Sequence, residues 1–222
     1  MFRPILAICL GFLTLSVNAA AAPTVRTVPA DAIKAATPHD VIAGRATTLK
    51  ATLSSSASDV EAVWDFGDGS EAARFAVTNA RDVSVRHTYT GDAGTSFTAR
   101  LKVTNRSTGE SAEGVYQVRI AEPTLAVLAR IAVDEGLWYL HKSLDAGGSW
   151  RGDCAACDAS GSVAPANLQA FERAGFEESG DASNPYTETV AAARRWSRVL
   201  KSRAKFRRGA QPSTFRWMLL KT

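Results

Sequence analysis

In SFTARLKVTN, residues 96–105, Phe97, Ala99, Leu101 and Val103 fall on one side of an extended chain, and Thr98, Arg100, Lys102 and Thr104 fall on the other. Alternation with period two is the pattern of a half-buried strand. It recurs, less strictly, in TTLKATL (47–53), VEAVWDF (60–66), ARFAV (73–77), DVSVRHTYT (82–90) and GVYQVRI (114–120). Turn formers separate these runs: Ser54-Ser55-Ser56, Gly67-Asp68-Gly69, Gly91-Asp92-Ala93-Gly94 and Thr108-Gly109. About seven short strands in about 100 residues predict an antiparallel, all-β sandwich over residues 23–122.

Within it, VWDFGDGS (63–70) sends Trp64 and Phe66 to one face of a strand and then stops on two glycines around a carboxylate. Glycine reaches positive φ at no steric cost, and an aspartate side chain bonds its own backbone two residues on. Trp64-Asp65-Phe66-Gly67-Asp68-Gly69-Ser70, then His87-Thr88-Tyr89, then Gly94 and the alternating strand from Phe97 to Asn105, resemble the PKD domain. The resemblance covers roughly residues 25–120 and implies an immunoglobulin-like sandwich of a kind common in extracellular proteins. Gly94-Thr95-Ser96-Phe97 departs from the family's Gly-x-Tyr, which keeps an aromatic ring and loses a hydroxyl. Trp64, Phe66, Gly67, Asp68, Gly69, His87 and Tyr89 are then structural motif residues.

After Pro123 the period changes. In residues 125–144, Leu125, Leu128, Ile131, Ala132, Leu137, Leu140 and Leu144 recur mainly at three- and four-residue steps, which predicts an amphipathic helix ended by Gly147-Gly148. A short helix is expected at 164–174, closed by Gly175, and a third from Pro185. The first and third align at an offset of 57, Val133, Gly136 and Tyr139 with Val190, Ala193 and Trp196. Long helix, Gly-Gly-Ser-Trp loop, short helix and next long helix resemble a repeat of the squalene-cyclase and prenyltransferase α/α toroids. The carried positions are Gly136, Tyr139, Leu140, Gly148 and Trp150, and the usual glutamine between helix and loop is missing. About one and a half repeats would lie in residues 123–200, whereas roughly three are needed to bury each other's faces. The helical part therefore reads as a fragment of a toroid, followed by a basic, disordered tail over 201–222.

Residues 1–22 read as a cleaved secretory signal: Arg3, an apolar run from Ile5 to Val17 too short to span a bilayer, then alanines. The mature chain has no transmembrane stretch and is expected to be secreted or periplasmic. Residues 194–222 hold ten Lys/Arg and no acid, leaving 16 basic against 22 acidic residues, a net of −6, for the rest. The charge belongs to the tail, which argues against nucleic acid as a partner and leaves an anionic envelope surface as the tail's alternative target.

Chemistry is sparse in the sequence. Asp65 and Asp68 read as turn carboxylates, with calcium as the alternative; a hard cation wants six or more oxygens, and two carboxylates are few. Cys154-Ala155-Ala156-Cys157 reads as a local disulfide or free thiols, with a redox pair or half a metal site as alternatives. His39, His87 and His141 stand in no catalytic arrangement, and Asp134, Glu135, Glu172 and Glu188 read as a solvated helix face. Neither toroid acid nor zinc motif occurs, and no cofactor is expected. The sequence reads as an exported, non-catalytic binding or spacer protein for a surface protein or polysaccharide. The alternative is the N-terminal part of a toroid-type envelope enzyme.

Overall fold

The computed structural model describes residues 23–28, 38–54, 59–150, 163–181 and 183–209. The order is β1 (Val25–Val28), β2 (His39–Val41), β3 (Ala46–Leu53), β4 (Val60–Asp65), β5 (Ala73–Val77), β6 (Val85–Thr88), β7 (Ser96–Asn105) and β8 (Ser111–Ile120), then α1 (Leu125–Ser143), α2 (Val163–Arg173) and α3 (Pro185–Gly209). One sheet runs β1-β3-β6 and the other β2-β8-β7-β4-β5. All described pairs are antiparallel except β2, which lies parallel to β8.

The expected alternation fills the space between the sheets. Leu49, Ala51, Ala62, Trp64, Ala99, Leu101, Val103, Tyr116 and Val118 are buried in one cluster. Phe97 packs on its edge. Trp64 is fully buried and meets Tyr116 edge-on, ring centroids 6.1 Å apart. β1 and β2 were not foreseen. VRTV and HDV are too short to show a period, and their pairing partners decide them.

Three helices follow, packed around a second cluster of Leu137, Trp138, Leu144, Trp150, Phe171, Tyr186, Val190 and Ala193, together with Val28 from β1. Thr124 caps α1, its hydroxyl accepting from the Val127 amide at 3.4 Å. Asp145 closes the other end, its carboxylate accepting from the Ser149 amide at 2.9 Å. The buried face of α1 differs from the expected one. Leu125 is 84% exposed, while Leu137, Trp138 and His141 are buried. The reason is that the C-terminal half of α1 packs against α2, α3 and Val28, while Asp134 and Glu135 lie over Lys50 of β3.

α2 and the start of α3 match expectation. α3, however, continues to Gly209, into the stretch expected to lack structure. Losing an apolar stripe does not end a helix made of Ala, Arg and Lys, all good helix formers. The signal segment 1–22, the Cys154 and Cys157 pair and residues 210–222 lie outside the described residues. No helix among the described residues is long and apolar enough to cross a membrane.

Candidate functional site

The WDFGDG turn is held from three sides. Asp65 Oδ1 accepts from the Gly67 amide at 2.9 Å, and Asp68 Oδ1 accepts from the Ser70 amide at 3.0 Å and from its hydroxyl at 2.5 Å. Asp68 Oδ2 lies 2.7 Å from His87 Nε2, whose ring stacks on Phe66 at 3.8 Å. Tyr89 donates its hydroxyl to the Phe66 carbonyl at 3.1 Å, and burial pushes that phenol up. Burial also pushes the Asp68 carboxyl up, but bonds from Ser70 and His87 outweigh it and leave it below its ordinary value. His87 is thus hydrogen-bonded, and its acid partner comes from a distant turn and not from its own strand. Asp65 Oδ1 and Asp68 Oδ1 accept within the turn, and Asp68 Oδ2 is taken by His87. No group of three or more His, Cys, Asp or Glu able to hold a metal occurs among the described residues.

Gly67 sits at φ +74°, and a Cβ there would lie 2.3 Å from the Thr98 carbonyl oxygen. The strand therefore ends where it does because only glycine fits beneath β7. With these contacts goes a family match: the model of the PKD domain aligns with residues 28–120.

Residues 28–120 form a PKD domain.

Two solved PKD structures are similar to the chain. The PKD domain of an M14-like peptidase from Thermoplasmatales archaeon SCGC AB-540-F20 is 14% identical, with a TM-score of 0.35, covering 47% of this chain and 100% of its own. The solution structure of the PKD domain from the human VPS10 domain-containing receptor SorCS2 is 14% identical, with a TM-score of 0.29, covering 55% of this chain and 98% of its own. No curated protein matches the chain. The family match ends at residue 120, so the toroid resemblance over 125–200 draws no support from it.

A richer set of polar groups lies where the helices meet the PKD domain. β3 turns Leu49, Ala51 and Leu53 into the sandwich and Thr48, Lys50 and Thr52 outward, yet Lys50 is fully buried. α1 covers it. Lys50 Nζ contacts Asp134 Oδ2 and lies 2.9 Å from Glu135 Oε1. Thr48 donates to Glu135 at 3.3 Å. Beside them Asp40, 4% exposed in its side chain, takes Arg119 at 2.8 Å and Arg130 of α1. His39 lies 3.8 Å from Asp134 and edge-on to Tyr116 at 5.4 Å. Its imidazole is pushed down to about 4, first by burial and then by Lys50 and Arg130, against the pull of Asp134 and Glu135. Tyr116 donates to the Val28 carbonyl at 2.7 Å.

The solvated-face expectation fails for the four helix acids in one respect: each has a fixed cation. Glu172 meets Arg194 at 2.7 Å and Glu188 meets Arg26 of β1 at 2.5 Å. With Arg198 on Glu178 at 2.8 Å, two of the basic residues expected to serve the tail are already paired. His141 does not stand alone either. It stacks on Trp138 and holds the Thr189 hydroxyl at 2.7 Å, with burial pushing it down to about 4. Lys50, Asp40, Arg130 and Tyr116 were missed by sequence reasoning. One signal was there: Asp134 and Glu135 interrupt a row from the half-buried Ile131 to the buried Trp138 and His141.

Of the toroid-like positions, Gly148 and Trp150 are buried. Gly148 has φ +83°, a Cβ there would lie 2.5 Å from the Ala192 carbonyl oxygen, and Trp150 Nε1 donates to the Leu140 carbonyl at 2.7 Å. Gly136, Tyr139 and Leu140, with Val133, instead line a cleft of about 580 Å³ between α1 and α2. Val133 and Tyr139 are 58% and 65% exposed, whereas Val190 and Ala193, the α3 counterparts of Val133 and Gly136, lie inside the second cluster, and Trp196, that of Tyr139, packs against it.

Proposed function

We propose that the chain is an exported, non-catalytic protein in which the PKD domain is a contact module and the helices brace it. PKD domains are often found in extracellular or surface proteins, which supports the expected location. The observation that carries the reading is the division of the two outer sheet faces. The helices occupy the outer face of β1-β3-β6, through Lys50 and Arg26, and reach the β2 edge of the other sheet through Asp40. The outer face of the five-stranded sheet carries the exposed Arg100, Lys102 and Glu113 beside the half-buried Thr98 and Gln117. A flat, polar, hydrogen-bonding face of this kind suits a polysaccharide or the polar surface of a protein. No cofactor takes part, and the aspartates of the turn serve the fold.

The test uses the whole mature chain against arrays of envelope polysaccharides and exported proteins. Capture that falls at least tenfold in Arg100→Glu/Lys102→Glu supports the reading. Capture insensitive to both changes, or hydrolysis of an arrayed polymer, refutes it.

A second reading, an enzyme-like toroid of which these helices are a part, has one supporting observation. The apolar face of α1 at Val133, Gly136 and Tyr139 is open, as it would be if a further helix covered it. A native product longer than this sequence, with helices continuing the 57-residue repeat, would favour it.

A further inference from the structure

We propose that Lys50 and Asp134 are joined by an amide bond between Lys50 Nζ and Asp134 Cγ, with Glu135 as the residue that moves the protons. Lys50 is the largest charged side chain buried completely among the described residues. Burying an ion pair costs several kcal/mol per ion, and the mutual attraction need not repay it. The burial of Lys50 therefore asks for another explanation than stability of the pair.

The geometry supplies one. Nζ is in contact with Asp134 Oδ2, so the amine and the carboxyl group already meet in the folded chain. Glu135 Oε1 also lies 2.9 Å from the amine. β3 fixes one partner by its ladder to β1 and β6, and α1 fixes both carboxylates on adjacent residues. His39, 3.8 Å from Asp134, is held neutral by its burial and adds no cation to the group. Glu135 also borders a polar cleft of about 200 Å³ lined by Thr47, Thr48 and Arg86. That cleft gives water a way out.

The step balances without any oxidant or reductant. A proton passes from the ammonium to Asp134, giving amine and carboxylic acid. The Nζ lone pair adds to Cγ. Glu135 takes a second proton from nitrogen and returns it to the departing hydroxyl, which leaves as water. Ammonium and carboxylate become an amide and one water, Glu135 ends as it began, and the remaining N–H is left facing its carboxylate. The product ties the PKD domain to α1 across 84 residues of sequence.

Peptide mapping of the purified mature chain tests this. Trypsin cannot cut after an acylated lysine. The expected result is loss of the peptide ending at Lys50 and a branched species, Lys50 joined to the Asp134 segment, lighter than the sum by one water. Lys50→Arg keeps a cation for both carboxylates, and Asp134→Ala removes the acceptor; each is expected to abolish the branch. Glu135→Gln is expected to slow its formation at least tenfold. Normal cleavage after Lys50 in the unaltered protein, with both peptides at their unlinked masses, overturns the proposal. So does fragmentation that places the branch on any residue other than Asp134, and so does a Glu135→Gln protein that forms the branch as fast as the parent.

Discussion

A methyl group at residue 67 would stand 2.3 Å from the Thr98 carbonyl oxygen, at a φ of +74° that L side chains resist. At Gly69, φ is +82° and nothing lies within 4 Å. The two glycines of one motif are thus kept for different reasons. Gly69→Ala is expected to cost about 1 kcal/mol of backbone strain, and Gly67→Ala about 3 kcal/mol or more because β7 must also move. Urea denaturation of both variants checks the difference, and equal losses would remove the contact with Thr98 from the account. The buried histidines make a second prediction at this scale. His39 and His141 are each pushed down to about 4, chiefly by burial, with Arg81 the next largest influence on His141. Between an ordinary value near 6.5 and about 4, the unfolded chain binds protons that the folded one refuses. Stability from these groups is full above pH 6.5 and falls as pH drops to 4, at up to about 1.4 kcal/mol per pH unit for each. Replacing His141 by Gln should remove about half of that slope, read as the urea midpoint at pH 7 and pH 4.5. An unchanged slope would mean that His141 titrates freely in the folded protein.

The end of α1 shows how single contacts become the placing of an element. Arg81, from the turn before β6, donates to the carbonyls of His141 at 3.1 Å and Leu144 at 3.2 Å, and Trp150 donates to that of Leu140. The last carbonyls of a helix have no partner of their own, and a cation there also meets the negative end of its dipole. Arg81→Ala is expected to cost about 1–2 kcal/mol and to raise amide exchange in α1 ahead of β7. Equal exchange in both elements would say that the cap does not position the helix. Legibility in the sequence divides along the same line. β7 announced itself, because Ala99, Leu101 and Val103 meet one apolar face and Arg100 and Lys102 meet water. β1 and β2 stayed hidden, since four and three residues show no period. α1 was legible as a helix and illegible as a face, for its buried row runs through Asp134 and Glu135. Those acids belong inside only because Lys50 waits on β3, 84 residues away. The motif Trp64 to Gly69 was readable because its partners are local or forced by sterics. The Lys50 site was not, since it exists only after two elements distant in sequence have met.

At the scale of the whole molecule the two clusters depend on each other unequally. The sandwich closes its own core, and the row it offers to the helices, Thr48, Lys50 and Thr52, is polar and would be at ease in water. The helices have no such reserve. Their cluster takes Val28 from β1, and α1 and α3 rest on the PKD domain through Lys50, Asp40 and Arg26. Three helices with so few buried residues fall short of what isolated helices need, since most helical stability comes from packing an apolar face. Residues 23–122 alone are therefore expected to give a β-sheet circular dichroism spectrum and a cooperative melt. Residues 123–209 alone should lose most of their helical signal. In the intact chain Val28→Ala, which thins the shared floor by about 1–2 kcal/mol, should loosen α1 and α3 while Trp64 fluorescence still reports a closed sandwich. A helical spectrum from 123–209 on its own would show that these helices hold one another without help. The PKD domain would then carry them as a passenger, and the brace assigned to Lys50 would lose its purpose.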